Sequence, residues 1–364
     1  MVKKEYNAVL EIVKFGRKAN KLRAILEDNT LNWIEILGYL CYHRVAGIAY
    51  ETISAIDVRK LDFSVFFTLY MIHQAQSMRT ELQKKYIKII SSALCEANIK
   101  HVFLKGAVLS STIYPLGSRA SHDIDILVRK KSIQKVKKIL YKLGFLQGKY
   151  DYKKGIIKEF DKNTITSSTK TRGEMVPFVK IVNEKTLKTI DVDINFSLAW
   201  RPNDSDELVD HFLKERILIP IDNNFSIYSL KKELFFIHLC SHFYKEAVLI
   251  DLIKKRKVLD LYKFVDIYTF IQTYFEEINP QIIFEESVKY GFDKQVFFTL
   301  NYAAKVFPDI LTIKNVDVLY KKYNYITDDV ITAIFDQYNP EIKMKDESSL
   351  IDKLFSYDII KNYK

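Results

Sequence analysis

Two short stretches carry aspartates at alternate positions. Asp123 and Asp125 stand in Asp-Ile-Asp-Ile-Leu-Val, and Asp191 and Asp193 in Ile-Asp-Val-Asp-Ile-Asn-Phe. Aspartate is a poor strand former, and like charges side by side on one strand face repel. A divalent cation gives such a pattern a chemical reason. Hard cations take oxygen ligands, and magnesium is commonly held by one or two carboxylates plus substrate phosphates. Two carboxylates on one strand with a third from a neighbour can hold a pair of metal ions. Such a pair stabilises both the attacking and the leaving oxygen of an in-line phosphoryl displacement. Asp-x-Asp alone is more often the solvated face of an ordinary strand, so its setting decides.

That setting is a strand with clean period two. Ile124, Ile126 and Val128 share one face, while Asp123 and Asp125 share the other. Residues 176–182 and 189–198 read as two further strands that could pair as a hairpin. In the second, Ile190, Val192, Ile194, Phe196 and Leu198 oppose Asp191, Asp193 and Asn195. Ahead of the first aspartates, His101-Val-Phe-Leu-Lys-Gly is a short β-prone run ending at Gly106. A helix is predicted over 107–113, closed by Pro115 and Gly117. Ser132 is expected to cap a helix to about Leu143 that Gly144 stops, and 161–174 reads as a polar loop.

The flanks read as helix. Tyr6, Val9, Leu10 and Val13 recur at one-face spacing, with Gly16 as a stop, and long helical patterns follow over 31–53 and 65–97. After Pro202 the chain again reads as helices from about Glu207 to its end. The expectation is an α+β protein: a helical region over 1–98, a small mixed sheet over 99–202, and a helical domain over 203–364.

In order, the chain presents Lys105-Gly106, Tyr114-Pro115, Gly117-Ser-Arg119, Asp123-Ile-Asp-Ile-Leu-Val, Leu143-Gly-Phe145 and Ile190-Asp-Val-Asp-Ile-Asn-Phe196. This resembles the bacterial "uncharacterised nucleotidyltransferase" family of the superfamily built on the DNA-polymerase-β catalytic fold. The resemblance is densest over 102–198 and extends to helices bearing His238, His242 and Asp266. It implies that Asp123 and Asp125 bind metal and that Asp193 is the third carboxylate, with Asp191 as its rival. It also implies that Gly106 turns a strand into a helix whose N-terminus meets a triphosphate, that Lys105 and Arg119 neutralise phosphate charge, and that magnesium or manganese is the cofactor. In two respects the chain departs from the pattern. Ala107 follows Gly106, so a hydroxyl contact to phosphate is missing or comes from Ser110, Ser111 or Ser118. Asn195 stands where the family tends to carry His.

Other candidates point to structure more than chemistry. His238 and His242 lie one turn apart on a helix and could line a nucleotide pocket, but such a pair more often completes a helix interface. His122 reads as strand edge, Trp33 and Trp200 as core or rim, and Cys240 as a buried thiol.

Composition sets the bounds. Of 364 residues 48% are apolar and 28% charged, with ten Gly and seven Pro, which excludes disordered and collagen-like chains. Three scattered cysteines form neither a disulfide framework nor a CxxC zinc pair, which suggests a reducing compartment. No apolar run suits a signal or a membrane span, so the expected setting is the cytoplasm. The net charge is +11, and residues 129–188 alone hold 17 Lys/Arg against 5 Asp/Glu, a balance of +12. That stretch is either an anion-facing surface or lysine-rich solvated surface. The expected function is transfer of a nucleoside monophosphate from an NTP to an acceptor hydroxyl with release of pyrophosphate. The acceptor could be a small molecule, a peptide or protein, or a tRNA end. A catalytically silent nucleotide- or RNA-binding regulatory protein on the same scaffold is the alternative.

Overall fold

A computed structural model describes residues 3–14, 19–56, 61–166, 173–182, 184, 187–198, 206–249, 260–327, 330, 333–335, 343–345 and 350–355. Gly16 and Trp200 lie outside them. The chain forms two compact units, one of residues 1–74 and 236–364 and the other of residues 75–235. The boundaries expected near 98 and 202 both fall inside the second unit.

The first unit is mainly helical. It holds α1 (Lys4–Ile12), α2 (Ala19–Leu26), α3 (Trp33–Tyr42), α4 (Ala46–Ser54) and the start of α5 (Phe63–Glu96). Its interior is aromatic, with Phe243 edge-on to Phe264 at 4.9 Å and Phe236 edge-on to Phe275 at 4.9 Å. Tyr6 stacks on Phe355 at 4.3 Å, and Arg44 pairs with Asp260, so the two segments that make up this unit contact one another.

The second unit carries β1 (His101–Phe103), α6 (Lys105–Thr112), β2 (Asp123–Val128), α7 (Ile133–Lys142), β3 (Leu146–Asp151), β4 (Ile156–Glu159), β5 (Phe178–Ile181) and β6 (Thr189–Asn195). The strands form one mixed sheet in the order β1-β2-β6-β5-β3-β4, in which only β2 and β6 run parallel. Ile124, Ile126, Val192 and Ile194 are all but fully buried, as alternation requires of β-branched residues on the covered face. Phe178 shares that face, being register partner to Val192, and Tyr141 of α7 packs edge-on against it at 6.0 Å. Helix α7 therefore covers the apolar face and leaves the aspartate face to other elements. Gly144, at φ +83°, turns the chain out of α7.

Four expectations are corrected. Residues 178–181 and 189–195 do pair antiparallel, but each strand is shorter than the pattern suggested. Ser132 precedes α7 without a capping side-chain bond, because a 3₁₀ turn over Lys130–Ser132 feeds the helix instead. The supposed loop begins with a helical turn over 162–166. The chain after residue 207 is not all helix. Following α8 (Asp206–Lys214), β7 (Arg216–Asp222) and β8 (Phe225–Leu230) form a hairpin that packs against β1 and α6. There Ser229 Oγ donates to Phe103 O at 3.4 Å. Helix α9 (Lys232–Val248) then leads into the helices of the first unit. Among the described residues no helix is long and apolar enough to cross a membrane.

Candidate functional site

Strands β2 and β6 meet in a register that pairs Asp123 with Asp191 and Asp125 with Asp193. Register partners in a parallel pair lie about 4.8 Å apart and point to the same side. Four carboxylates thus form a two-by-two array on one sheet face. Asp125 is buried, and its Oδ1 accepts from Lys105 Nζ at 2.8 Å and from Asn195 Nδ2 at 3.3 Å.

The array divides electrostatically. Burial, then the neighbouring charge of Asp125, pushes Asp123 up to about 6, with Lys105 and Arg119 pulling back. Asp193 is raised well above the usual carboxylate range by burial, then by Asp123, Asp125 and Glu174. Asp191 is raised chiefly by burial, and a hydrogen bond from Thr189 and the charge of Arg79 oppose it. Asp193 therefore groups with Asp123 and Asp125, while the side chains that act on Asp191 are Thr189 and Arg79.

The turn before the array is built closely. Leu104 N donates to Asp125 O at 3.0 Å, extending the β1–β2 ladder by one bond. Lys105 then takes φ +42°, a left-handed conformation that non-glycine residues adopt at a cost, often at functional sites. It opens α6 with Gly106 beside it. A Cβ on Gly106 would lie 2.3 Å from Ser121 Oγ and 2.8 Å from Arg119 Nη1, so glycine is required by close approach. Arg119 is buried against this turn. Ser118 is fully buried with Oγ unpartnered among the described atoms, as is Ser110 Oγ, and Ser111 Oγ donates to Ala107 O. Three seryl hydroxyls are thus close in sequence to the turn, but Ser121 is the one against Gly106.

Three further residues contribute to the site with little or no signal in the sequence. Arg79, on α5, has its pKa lowered by burial and feels the charges of Tyr152, Asp191 and Asp123. Its Nη1 lies 3.0 Å from His122 Nδ1. Glu174, at the end of the supposed loop, bridges to Asn195 and acts on Asp193. Ser121 ties the turn to β2 through Oγ, which donates to Asp123 O at 3.2 Å. Ser121 alone left a local signal, two residues before the first aspartate. Arg79 sits 44 positions upstream of Asp123, in a helix with no special pattern.

His238 and His242 belong to the first unit. His242 Nδ1 is 3.4 Å from Glu246 Oε2, which also pairs with Lys263, and Asp266 is buried on the same helix as Lys263. Burial opposes ionisation of Glu246, but His242 and Lys263 outweigh it and hold the carboxyl far below its usual range. Cys240 is buried with its thiol pushed up, and Trp33 opens α3 half-buried.

As the side chains stand, no group of three His, Cys, Asp or Glu among the described residues is arranged to hold a metal ion. The donor chemistry of the array nonetheless fits magnesium or manganese. Asp123, Asp125 and Asp193 are all-oxygen donors on adjacent strands; Asp193 feels the charge of both others, and Asp123 feels that of Asp125.

Residues 29–308 match the family described as uncharacterised nucleotidyltransferase. The chain belongs to that family. The matched segment includes the whole carboxylate array and the Lys105–Gly106 turn, and the mixed sheet flanked by helices suits the assignment. No curated protein matches the chain.

Proposed function

We propose that this protein of the nucleotidyltransferase family is a metal-dependent enzyme that transfers a nucleoside monophosphate from an NTP to an acceptor hydroxyl. The acceptor oxygen bonds to the α-phosphorus, the α–β phosphoanhydride bond breaks, and pyrophosphate leaves. The observation that carries this reading is the parallel register that sets Asp125 beside Asp193 and brings Asp193 under the charge of both Asp123 and Asp125. Such repulsion is a cost that a divalent cation relieves.

Asp123, Asp125 and Asp193 would hold magnesium or manganese. When bound, such ions supply charge stabilisation for the transferring phosphoryl group and for the attacking and leaving oxygens. The residues do the rest. Lys105 and Arg119 neutralise phosphate charge, with arginine suited to a bidentate fork. The backbone N–H groups at Lys105 and Gly106 lie at the N-terminus of α6, where anions are favoured. Ser118, also expected at this turn, would reach phosphate only if its buried hydroxyl turned outward. Asp193, with its raised pKa, is suited to take the proton of the acceptor hydroxyl. The reading favours Asp193 over Asp191 as third carboxylate because Asp193 feels the charge of both Asp123 and Asp125, whereas the side chains acting on Asp191 are Thr189 and Arg79. The free cysteines fit a reducing cytoplasm.

One observation favours the alternative of a silent nucleotide- or RNA-binding protein: the Lys105 ammonium occupies an oxygen of Asp125. Incubation with each α-labelled NTP, magnesium or manganese, and total cell extract separates the two. Label transferred to any acceptor supports the enzyme. Retention of label by the protein alone, with no transfer, supports the silent reading.

A further inference from the structure

The carboxylate face of the sheet does not stop at β6. Val179 of β5 is the register partner of Asp191, and Leu146 of β3 is the partner of Val179. By strand alternation Leu146, Gly148 and Tyr150 therefore share the face of the array. Strand β3 lies two strand spacings from β6, about 10 Å. It runs into a hairpin whose tip reads Asp151-Tyr-Lys-Lys-Gly155.

The tip has an unusual surface. Tyr152 is 77% exposed and stands edge-on to Tyr150 at 4.9 Å. Lys149, Lys153 and Lys154 are exposed, and none makes an ion pair among the described residues. Asp151 Oδ1 accepts from the backbone N–H of Lys153 and Lys154 at 2.9 and 3.1 Å, while its Oδ2 pairs with Lys158, so the tip is a formed turn. The tip is also electrically joined to the array, because Arg79 feels both Tyr152 and the aspartates Asp191 and Asp123. The 129–188 stretch around it carries the whole positive excess of the chain.

We propose that the β3–β4 hairpin is the docking surface for the end of a single-stranded nucleic acid, which presents its terminal hydroxyl to the carboxylate array. Lysines at the tip meet backbone phosphates, Tyr152 offers a face on which an unpaired base stacks, and Arg79 bridges the strand toward β6. Single-strand binding combines such cations with exposed aromatics. A duplex hides its base planes, and an acidic peptide has charge but no base to stack. This inference names the acceptor class of the proposed transfer and rests on that reading for the chemistry, though the docking itself does not.

Fluorescence anisotropy tests it with labelled twelve-residue oligonucleotides of RNA and of DNA, and with a glutamate peptide of equal charge. The expected result is oligonucleotide binding whose log affinity falls linearly with log salt. Tyr152→Ala should weaken it roughly tenfold with the slope kept. Lys153→Glu/Lys154→Glu should weaken it at least tenfold and flatten the slope. Both variants change exposed side chains, so circular dichroism and melting should match the wild type. Equal affinity in wild type and both variants, or equal affinity for the glutamate peptide, overturns the proposal. Transfer is scored separately in the same samples with α-labelled NTP. Strand binding with these variant effects but no labelled strand upholds the docking surface and defeats the transfer reading. Label reaching some other acceptor while neither oligonucleotide binds defeats the docking surface alone.

Discussion

Lys105 Nζ donates to Asp125 Oδ1 across 2.8 Å, so one of the three clustered carboxylates is paired directly with the lysine, while Asp123 and Asp193 feel Lys105 only through its charge. The consequence is an uneven array: Asp123 and Asp193 hold protons more tightly than usual, and the buried Asp125 depends on its lysine. Lys105→Met should leave the Asp125 side chain with only Asn195 as a donor partner among the described residues. Removing one member of a buried ion pair costs about 3 kcal/mol. The metal-free melting temperature should therefore fall, and manganese should restore more of it in the variant than in the wild type. Melts with and without manganese check this, and an unchanged metal-free melt would show that the pair carries no weight.

If Asp123 and Asp125 are the paired ligands, Asp123→Asn and Asp125→Asn should each reduce transfer by several orders of magnitude. Electrostatic stabilisation at the transferring phosphoryl supplies most of the rate in this chemistry. Far-ultraviolet circular dichroism should be unchanged. Turnover near the wild-type value in either variant sinks the assignment.

Asp193 and Asp191 are two residues apart and on one face, yet their neighbours differ. Asp193→Ala should abolish transfer while NTP binding survives on Asp123 and Asp125. Asp191→Ala should be milder and should act through Arg79. Equilibrium NTP binding and single-turnover transfer, measured on both variants, decide between them. Inactivity confined to the Asp191 variant would reverse the order.

Much of this site was legible in the sequence because strand alternation is a local rule. Once Ile124 and Ile126 face the core, Asp123 and Asp125 must face away from it, and the same holds for β6. The register that sets Asp125 beside Asp193 is not local, and nothing in either segment encodes it. Arg79 and Glu174 reach the array through tertiary packing alone, which is why neither stood out. The hairpin of β7 and β8 escaped notice for another reason. Its strands, Arg-Ile-Leu-Ile-Pro-Ile-Asp and Phe-Ser-Ile-Tyr-Ser-Leu, lie between two helices and carry a proline in the first. Proline is tolerated there on a two-stranded ribbon with a register shift between Pro220 and Asp222.

The raised carboxyls also set how stability follows pH. In the folded, metal-free protein Asp123 titrates at about 6 against an ordinary 3.8. Between those values the folded chain keeps a proton that the unfolded chain has released. Stability is thus greatest below the unfolded pKa and falls as pH rises through about 6. Asp193 shifts in the same direction. Metal binds the deprotonated forms, so manganese should stabilise more at neutral pH than at acid pH. Melts across the range, with and without manganese, should show a metal-free decline that Asp193→Asn makes shallower. A metal-free melting temperature that climbs through this window would contradict the shifts.

Gly106 offers the sharpest steric test of how the turn is built. A methyl group there would stand 2.3 Å from Ser121 Oγ, 3.1 Å from Ser121 Cβ and 2.8 Å from Arg119 Nη1. The Arg119 guanidinium is the end of a long side chain and can swing aside. Ser121 cannot move as easily, because its Oγ is bonded to Asp123 O and its own carbonyl accepts from Gln83 Nε2 at 3.4 Å. Gly106→Ala should therefore push on β2 at the first aspartate and displace the arginine meant for phosphate. Overpacking of this kind costs about 1–3 kcal/mol. The variant should melt lower and show a raised KM for NTP. Ser121→Gly removes both Ser121 atoms that crowd the methyl group, Oγ and Cβ, so the double variant Gly106→Ala/Ser121→Gly should recover stability relative to Gly106→Ala alone. A double-mutant cycle of melting free energies measures that coupling. Strict additivity of the two changes would mean that Ser121 is not what makes glycine necessary at this turn.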